Sequence, residues 1–184
     1  MANENKVQFG LKNVHYAVRN ESGYTAPVSV PGAVNLSLDA EGDMQKFYAD
    51  DVAYFTTNTN NGYSGDLEMA RFPDKMLQDI WGYKLSTTDK VLSEDSNAQA
   101  VAFALLFQIS GDQNNSFYVL YNCTASRPGI GSKTKEETTD PNTQTTTISA
   151  TPMADGKVFA KTTADTPEAI QTNWFKSVYT GEAS

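Results

Sequence analysis

Along most of this chain apolar residues recur at every second position, and that period constrains the fold class more than any other feature. Side chains alternate across a β-strand with a period of two, so such a chain folds mainly into half-buried strands. Val7, Phe9 and Leu11 alternate with Lys6, Gln8 and Lys12. After Asn13 the phase slips by one, and Val14, Tyr16 and Val18 form the apolar set. A slip of one residue reverses the buried face, which predicts a bulge or bend near Asn13. Val34, Leu36, Leu38 and Ala40 interleave with Asn35, Ser37, Asp39 and Glu41 between Pro31-Gly32 and Gly42-Asp43. They predict one strand bounded by turns.

Further strands follow by the same rule. Residues 52–57 are aromatic and β-branched, and Asn61-Gly62 is a strong turn signal. The reading is a hairpin returning through Tyr63, Gly65, Leu67 and Met69, with Ser64, Asp66 and Glu68 on the other face. Val101, Phe103, Leu105, Phe107 and Ile109 alternate with Ala100, Ala102, Ala104, Leu106 and Gln108. A strand apolar on both faces reads as a central strand covered on both sides; the alternative is an alanine face that closes against another subunit. Residues 110–115 are the expected turn into a partner strand through Phe117, Val119, Tyr121 and Cys123. Residues 148–151 and 157–162 flank Ala154-Asp155-Gly156 and read as a further hairpin.

Two stretches break the period. Pro73 and Asp74 precede Met76, Leu77, Ile80 and Trp81, one helical stripe ended by Gly82. A helix of about two and a half turns is marginal alone in water, so its stripe is expected to lie on a sheet. Near the end, Thr166 is a candidate N-cap, Pro167 suits N1, and Ile170, Trp174 and Val178 are spaced by four. That tail is expected to be anchored through Trp174. Between them, residues 86–99 are polar and leave room for a short strand at most. In residues 127–147 apolar side chains nearly vanish. This stretch reads as a flexible loop or an extended arm, whose threonines favour β if a partner edge is present. The fold class expected is mainly β with added helices (α+β), in one domain spanning residues 1–184.

Composition narrows the function. The chain carries 14 basic and 22 acidic residues, a formal charge of −8. That opposes a general duplex-DNA binder, which needs clustered Lys and Arg. No apolar run approaches the ~20 residues of a spanning helix, and residues 1–10 have no apolar signal-peptide core. One cysteine, Cys123, forms no internal disulfide, and one histidine, His15, leaves little for a His/Cys metal site. Asp39, Glu41 and Asp43 lack the spacing of a calcium loop and read as the solvent face of a strand. Asp50-Asp51 reads as a loop acid pair, not a glycosidase dyad. Residues 129–133 have glycines and a lysine without phosphate-loop context. No nucleophile–base pair is present, so an enzyme is not expected, and neither metal nor cofactor is implied.

The run Pro31-Gly32-Ala33-Val34-Asn35-Leu36-Ser37-Leu38-Asp39-Ala40-Glu41-Gly42-Asp43, continued by Phe47-Tyr48-Ala49-Asp50 and residues 60–68, carries a resemblance. So do Phe9-Gly10-Leu11-Lys12-Asn13-Val14-His15-Tyr16-Ala17 near the start and Trp174-Phe175 with Val178-Tyr179 near the end. The chain resembles the major tail proteins of long-tailed, non-contractile phages (siphoviruses) of Gram-positive bacteria. The resemblance implies a β-sandwich or half-barrel with one flanking helix, residues 74–81, and a short C-terminal helix. It implies hexameric rings stacked into a tail tube that delivers DNA. The implied partners are copies of itself, tape-measure, tail-initiator and terminator proteins, and DNA passing without sequence-specific binding. The implied location is the virion tail, with assembly in the host cytoplasm and no membrane. Asp39, Glu41, Asp66 and Glu68 are the candidate lumen-facing acids. Asn58, Asn60, Asn61, Lys133, Lys135 and Glu136 are the candidate inter-subunit loop residues. The competing reading is a β-sandwich carbohydrate-binding module, which requires aromatics exposed together on a concave face. Tyr54, Phe55 and Tyr63 instead read as ordinary strand residues.

Overall fold

The computed structural model describes residues 9–111, 116–134 and 141–181. Val7, with Lys6 and Gln8, and most of the 110–115 turn lie outside the described residues. In chain order the elements are β1 (Leu11–Asn20), β2 (Gly23–Tyr24), β3 (Val28–Ser29), β4 (Ala33–Glu41), β5 (Met44–Ala49), β6 (Val52–Asn58) and β7 (Gly62–Met69). Then come α1 (Asp74–Trp81), β8 (Lys84–Leu85), β9 (Leu92–Ser93), β10 (Phe103–Ile109), β11 (Ser116–Ala125), β12 (Gln144–Ala150), β13 (Phe159–Lys161) and α2 (Glu168–Asn173).

The predicted phase slip is a bulge. The β1–β10 register shifts between Lys12 and His15, and Asn13 sits at φ 50°. Around it grows one antiparallel sheet in the order β2-β1-β10-β11-β12-β7-β4, with β3 also on β1 and β13 on β11. The long strand β1, next to the short end strand β2, comes near the other end strand β4 across a cleft lined by Leu11, Val34, Leu36 and Ile109. The mainly-β fold is therefore built on one curled sheet, the half-barrel form of the expected architecture, with β5-β6 and β8-β9 as separate two-stranded ribbons.

The inner face of the curl holds the main core. Val14, Tyr16, Phe103, Leu105, Leu120, Cys123, Ile148, Leu67 and Met69 meet Met76, Ile80 and Trp81 of α1 there. Each such large side chain contributes about 1.5–3 kcal/mol through burial. Two polar contacts fix the helix. Tyr16 donates its hydroxyl to Asp79 Oδ2 at 2.7 Å, and Trp81 Nε1 donates to the Ser126 carbonyl at 2.8 Å. Gly82 ends α1 at φ 71°, in the left-handed region where glycine is favoured.

The outer face of β1, β10 and β11 is also sealed. Ala17, Ala104, Leu106, Val119 and Tyr121 are buried beneath Trp174, with Ile170, Phe175, Val178 and Tyr179 packed around them. The alanine face of β10 is thus covered by the chain's own C-terminal segment, as the central-strand reading expects. Trp174 is 2% exposed, stacks on Tyr179 at 5.5 Å and donates Nε1 to the Tyr118 carbonyl at 3.3 Å. Thr166 does not cap α2. Its hydroxyl accepts from Thr163 N at 2.8 Å and closes the preceding turn, while Pro167 occupies the cap position.

Two hairpin expectations are corrected. β6 pairs with β5, not with β7; its turn is Asp50-Asp51, both left-handed at φ 51° and 61°. A two-residue turn with two positive φ values matches the twist of a hairpin. β12 and β13 do not pair with each other either. Both are antiparallel to β11, at Cys123–Ala125 and at Tyr118–Leu120, so they lie in succession along one edge. Residues 151–158 form a looped detour in that line, and their turn closes through Gly156 N to the Met153 carbonyl at 2.9 Å. The last four residues of the polar 127–147 stretch lie in β12, with β7 as the partner edge the threonines need.

Candidate functional site

The outer face of β4, β7 and β12 is bare and polar. Strand alternation puts Leu36, Leu38 and Ala40 on the core side, so Asn35, Ser37, Asp39 and Glu41 face the other way. The registers form three rows: Asn35–Glu68–Thr145, Ser37–Asp66–Thr147 and Asp39–Ser64–Ser149. Glu41 stands opposite Gly62. All four predicted acids, Asp39, Glu41, Asp66 and Glu68, therefore share one face, and these rows contain no Lys or Arg. Thr147 Oγ1 donates to Asp66 Oδ1 at 2.8 Å, and Thr143 Oγ1 donates to Glu68 Oε1 at 2.5 Å. Two of the acids are thereby oriented without being neutralised.

β4 also ends the sheet. It pairs with β7 on one side and with no described strand on the other. A strand edge that pairs with no described strand is a template for pairing with another chain.

The third feature is a protruding arm. Where β4 and β7 leave the sheet, the ribbon continues as β5 and β6. Asn61 N donates to the Glu41 carbonyl at 2.8 Å and Thr59 N to the Asp43 carbonyl at 3.0 Å across the junction. Asn60 Oδ1 accepts from Gly62 N at 3.0 Å. Gly62 takes φ 105°, and a Cβ there would lie 1.9 Å from the Ala150 carbonyl oxygen, so the strand enters the sheet only through a glycine. Asn58, Asn60 and Asn61 are thus the root of an arm and not the tip of a loop; Asp50 and Asp51 are the tip. Lys133 is exposed in an irregular segment, and Lys135 and Glu136 lie outside the described residues.

Along the arm Met44, Phe47, Tyr48, Val52, Tyr54 and Phe55 are each 58–74% exposed. Phe47 stands opposite Phe55, and Tyr48 opposite Ala53. Tyr54, Phe55 and Tyr63 are strand residues, as the sequence reading has them; Tyr63 packs on the core, whereas Tyr54 and Phe55 are exposed. They are strand residues without a core, on a two-stranded ribbon lacking the concave floor that a sugar site would need. The signal was present in the sequence as apolar residues around an acid pair, but exposure is not encoded by periodicity.

Among solved structures the chain is similar to a chain of the sheath-tube complex of an extracellular contractile injection system (PVC) in its extended state. Identity is 13%, 85% of this chain and 93% of that chain are covered, and the TM-score is 0.49. It is also similar to a chain of the PVC sheath/tube terminator in the extended state, at 13% identity, 86% and 99% coverage and a TM-score of 0.49. A chain of the tube-terminating cap of the anti-feeding prophage matches at 12% identity, 89% and 97% coverage and a TM-score of 0.47. No family model and no curated protein matches the chain.

Cys123 and His15 lie away from these three features. Cys123 is fully buried, and burial pushes its thiol up to about 12. His15 Nδ1–H donates to the Asn13 carbonyl at 2.8 Å, and the ring stacks on Phe175. No group of three or more His, Cys, Asp or Glu able to hold a metal ion occurs among the described residues.

Proposed function

We propose that this chain is a non-catalytic tail-tube subunit of a long-tailed, non-contractile phage. The observation that carries the reading is the arm, which holds six large apolar side chains away from any core of its own chain. Such a surface is stable in water only at a cost and marks a contact with another molecule. The open β4 edge supports it, because a head-to-tail contact between identical copies closes into a ring when the rotation permits. The resemblance of residues 31–68 to phage major tail proteins supports six copies per ring and stacking of rings into a tube.

The acidic face has a part in the same reading. Turned to the channel, Asp39, Glu41, Asp66 and Glu68 repel the phosphate backbone, so DNA slides without being gripped. Sequence-specific contact has no role there. Tape-measure, initiator and terminator proteins are the further partners proposed, with the tail of the virion as the final location and the host cytoplasm as the place of assembly.

The test is light scattering with negative-stain electron microscopy over a range of concentrations, alone and with a tail-initiator complex. Rings or hollow tubes support the reading and give the copy number by rotational averaging. A chain that stays monomeric in every condition overturns it, and retention on immobilised glycans would then favour the carbohydrate-binding reading through the exposed aromatics.

A further inference from the structure

At the inner face of the curl, away from α1, Leu38, Tyr63, Phe107, Tyr118, Leu120 and Phe159 line an open trough of about 170 Å³. Every one of them is apolar or aromatic. Phe107 lies flat on Tyr118 at 5.1 Å, and Tyr63 meets Phe159 edge to face at 5.7 Å, so the walls are stiff rings. Phe159 remains 45% exposed at the rim. Apolar cavities of about 150 Å³ stay dry and take up a benzene ring. The trough is therefore sized for one phenyl group.

The same chain presents phenyl groups with nowhere to go. Phe47 and Phe55 stand opposite each other on the arm. On that face Phe47 and Phe55, 63% and 60% exposed, together offer roughly 200–300 Å², taking about 150–250 Å² for a whole large aromatic side chain; Met44 and Tyr54 lie on the opposite face of the ribbon. A surface patch complementary to a pocket elsewhere on the same molecule makes a heterologous contact that propagates from copy to copy.

We propose that the trough is the receptor for the arm of a second copy of this chain, with the Phe47–Phe55 face turned inward. This rests on the tube-subunit reading and deepens it by naming the receiving surface.

Mixed-copy cross-linking tests it. One population carries Thr57→Cys, on the Phe55 face of β6, and the other carries Lys161→Cys, two residues beyond Phe159. Both positions are exposed, Lys161 bordering the trough with its ammonium 5.7 Å from the centre of the Tyr118 ring, and the buried native Cys123 stays unreactive. With a short bis-maleimide, the expected result is a dimer between the two populations, lost when Phe55→Asp is added to the arm. A Thr57-to-Thr57 dimer alone, which means arms pairing with arms, overturns the proposal. So does the absence of any cross-link. Rings or tubes that form without the mixed cross-link overturn the docking while leaving the tube reading standing; absence of both assembly and cross-link overturns the two together.

Discussion

Trp174→Ala is the sharpest test of how the outer face of the sheet is sealed. The indole is 2% exposed, stacks on Tyr179, lies tilted against Phe117 and donates to the Tyr118 carbonyl. Truncating a buried Trp or Phe to Ala costs about 3–5 kcal/mol, part transfer and part cavity. The aromatic stack adds about 0.5–1.5 kcal/mol to what is at stake. Against a total stability of about 5–15 kcal/mol, the variant is expected to fold with little reserve. For a chain of this size each kcal/mol moves Tm by ~2–4 °C, so the expected drop is about 7–26 °C. Urea unfolding followed by the fluorescence of Trp81 gives the free energy directly. The m-value should also fall, because a detached C-terminal segment leaves Ala104 and Leu106 partly exposed in the native state. Trp174→Phe keeps a ring and loses the N–H donor, so it should recover more than half of the loss. A cost below about 1 kcal/mol for Trp174→Ala would refute the idea that this residue holds the seal.

Phe55→Asp should leave Tm within about 2 °C, because an exposed side chain far from the core shifts stability by under ~0.5 kcal/mol, yet abolish self-association in sedimentation velocity. Gly62→Ala should cost at least ~2 kcal/mol in chemical denaturation, since it combines a positive φ with a clash on the Ala150 carbonyl. In a phage carrying Asp66→Lys and Glu68→Lys, tubes should still form while DNA ejection slows in a single-particle release assay. The Cys123 thiol should resist a thiol reagent at pH 8 and react once unfolded. Its folded-state value is raised from near 9 to about 12, so its stabilising effect is complete below pH 9 and declines as pH rises through that interval.

Much of the fold is legible because local rules and tertiary structure agree. The stripe from Met76 to Trp81 with Gly82 behind it, and the alternation from Leu36 to Ala40, mean the same thing locally and globally. The slip at Asn13 was visible as a change of phase. What sequence misses is partnership. Asn61-Gly62 carries the stronger generic turn signal, but here the positive φ of Gly62 is used to pass the Ala150 carbonyl, while Asp50-Asp51 makes the turn. Ala154-Asp155-Gly156 makes a turn too, yet the strands beside it choose β11 over each other. At the candidate site, alternation alone places Asp39 and Glu41 on one face of β4, and Asp66 and Glu68 on one face of β7. Only the register of the two strands makes it the same face. The arm was illegible for a different reason: Phe47, Tyr54 and Phe55 look like core residues, and no core among the described residues covers them.

The arm and the trough differ in how much of the chain each requires. The arm is complete within residues 44–58, a local hairpin of the kind that forms in microseconds. The trough needs β4, β7, β10, β11 and finally Phe159, and β10 must first find β1 across nearly a hundred residues, as in the pairing of Leu11 with Ile109. During synthesis a growing chain therefore displays its arm long before its trough exists. If the arm docks in the trough as proposed, an unfinished chain has a donor and no acceptor, and only a chain translated past β13 has both surfaces.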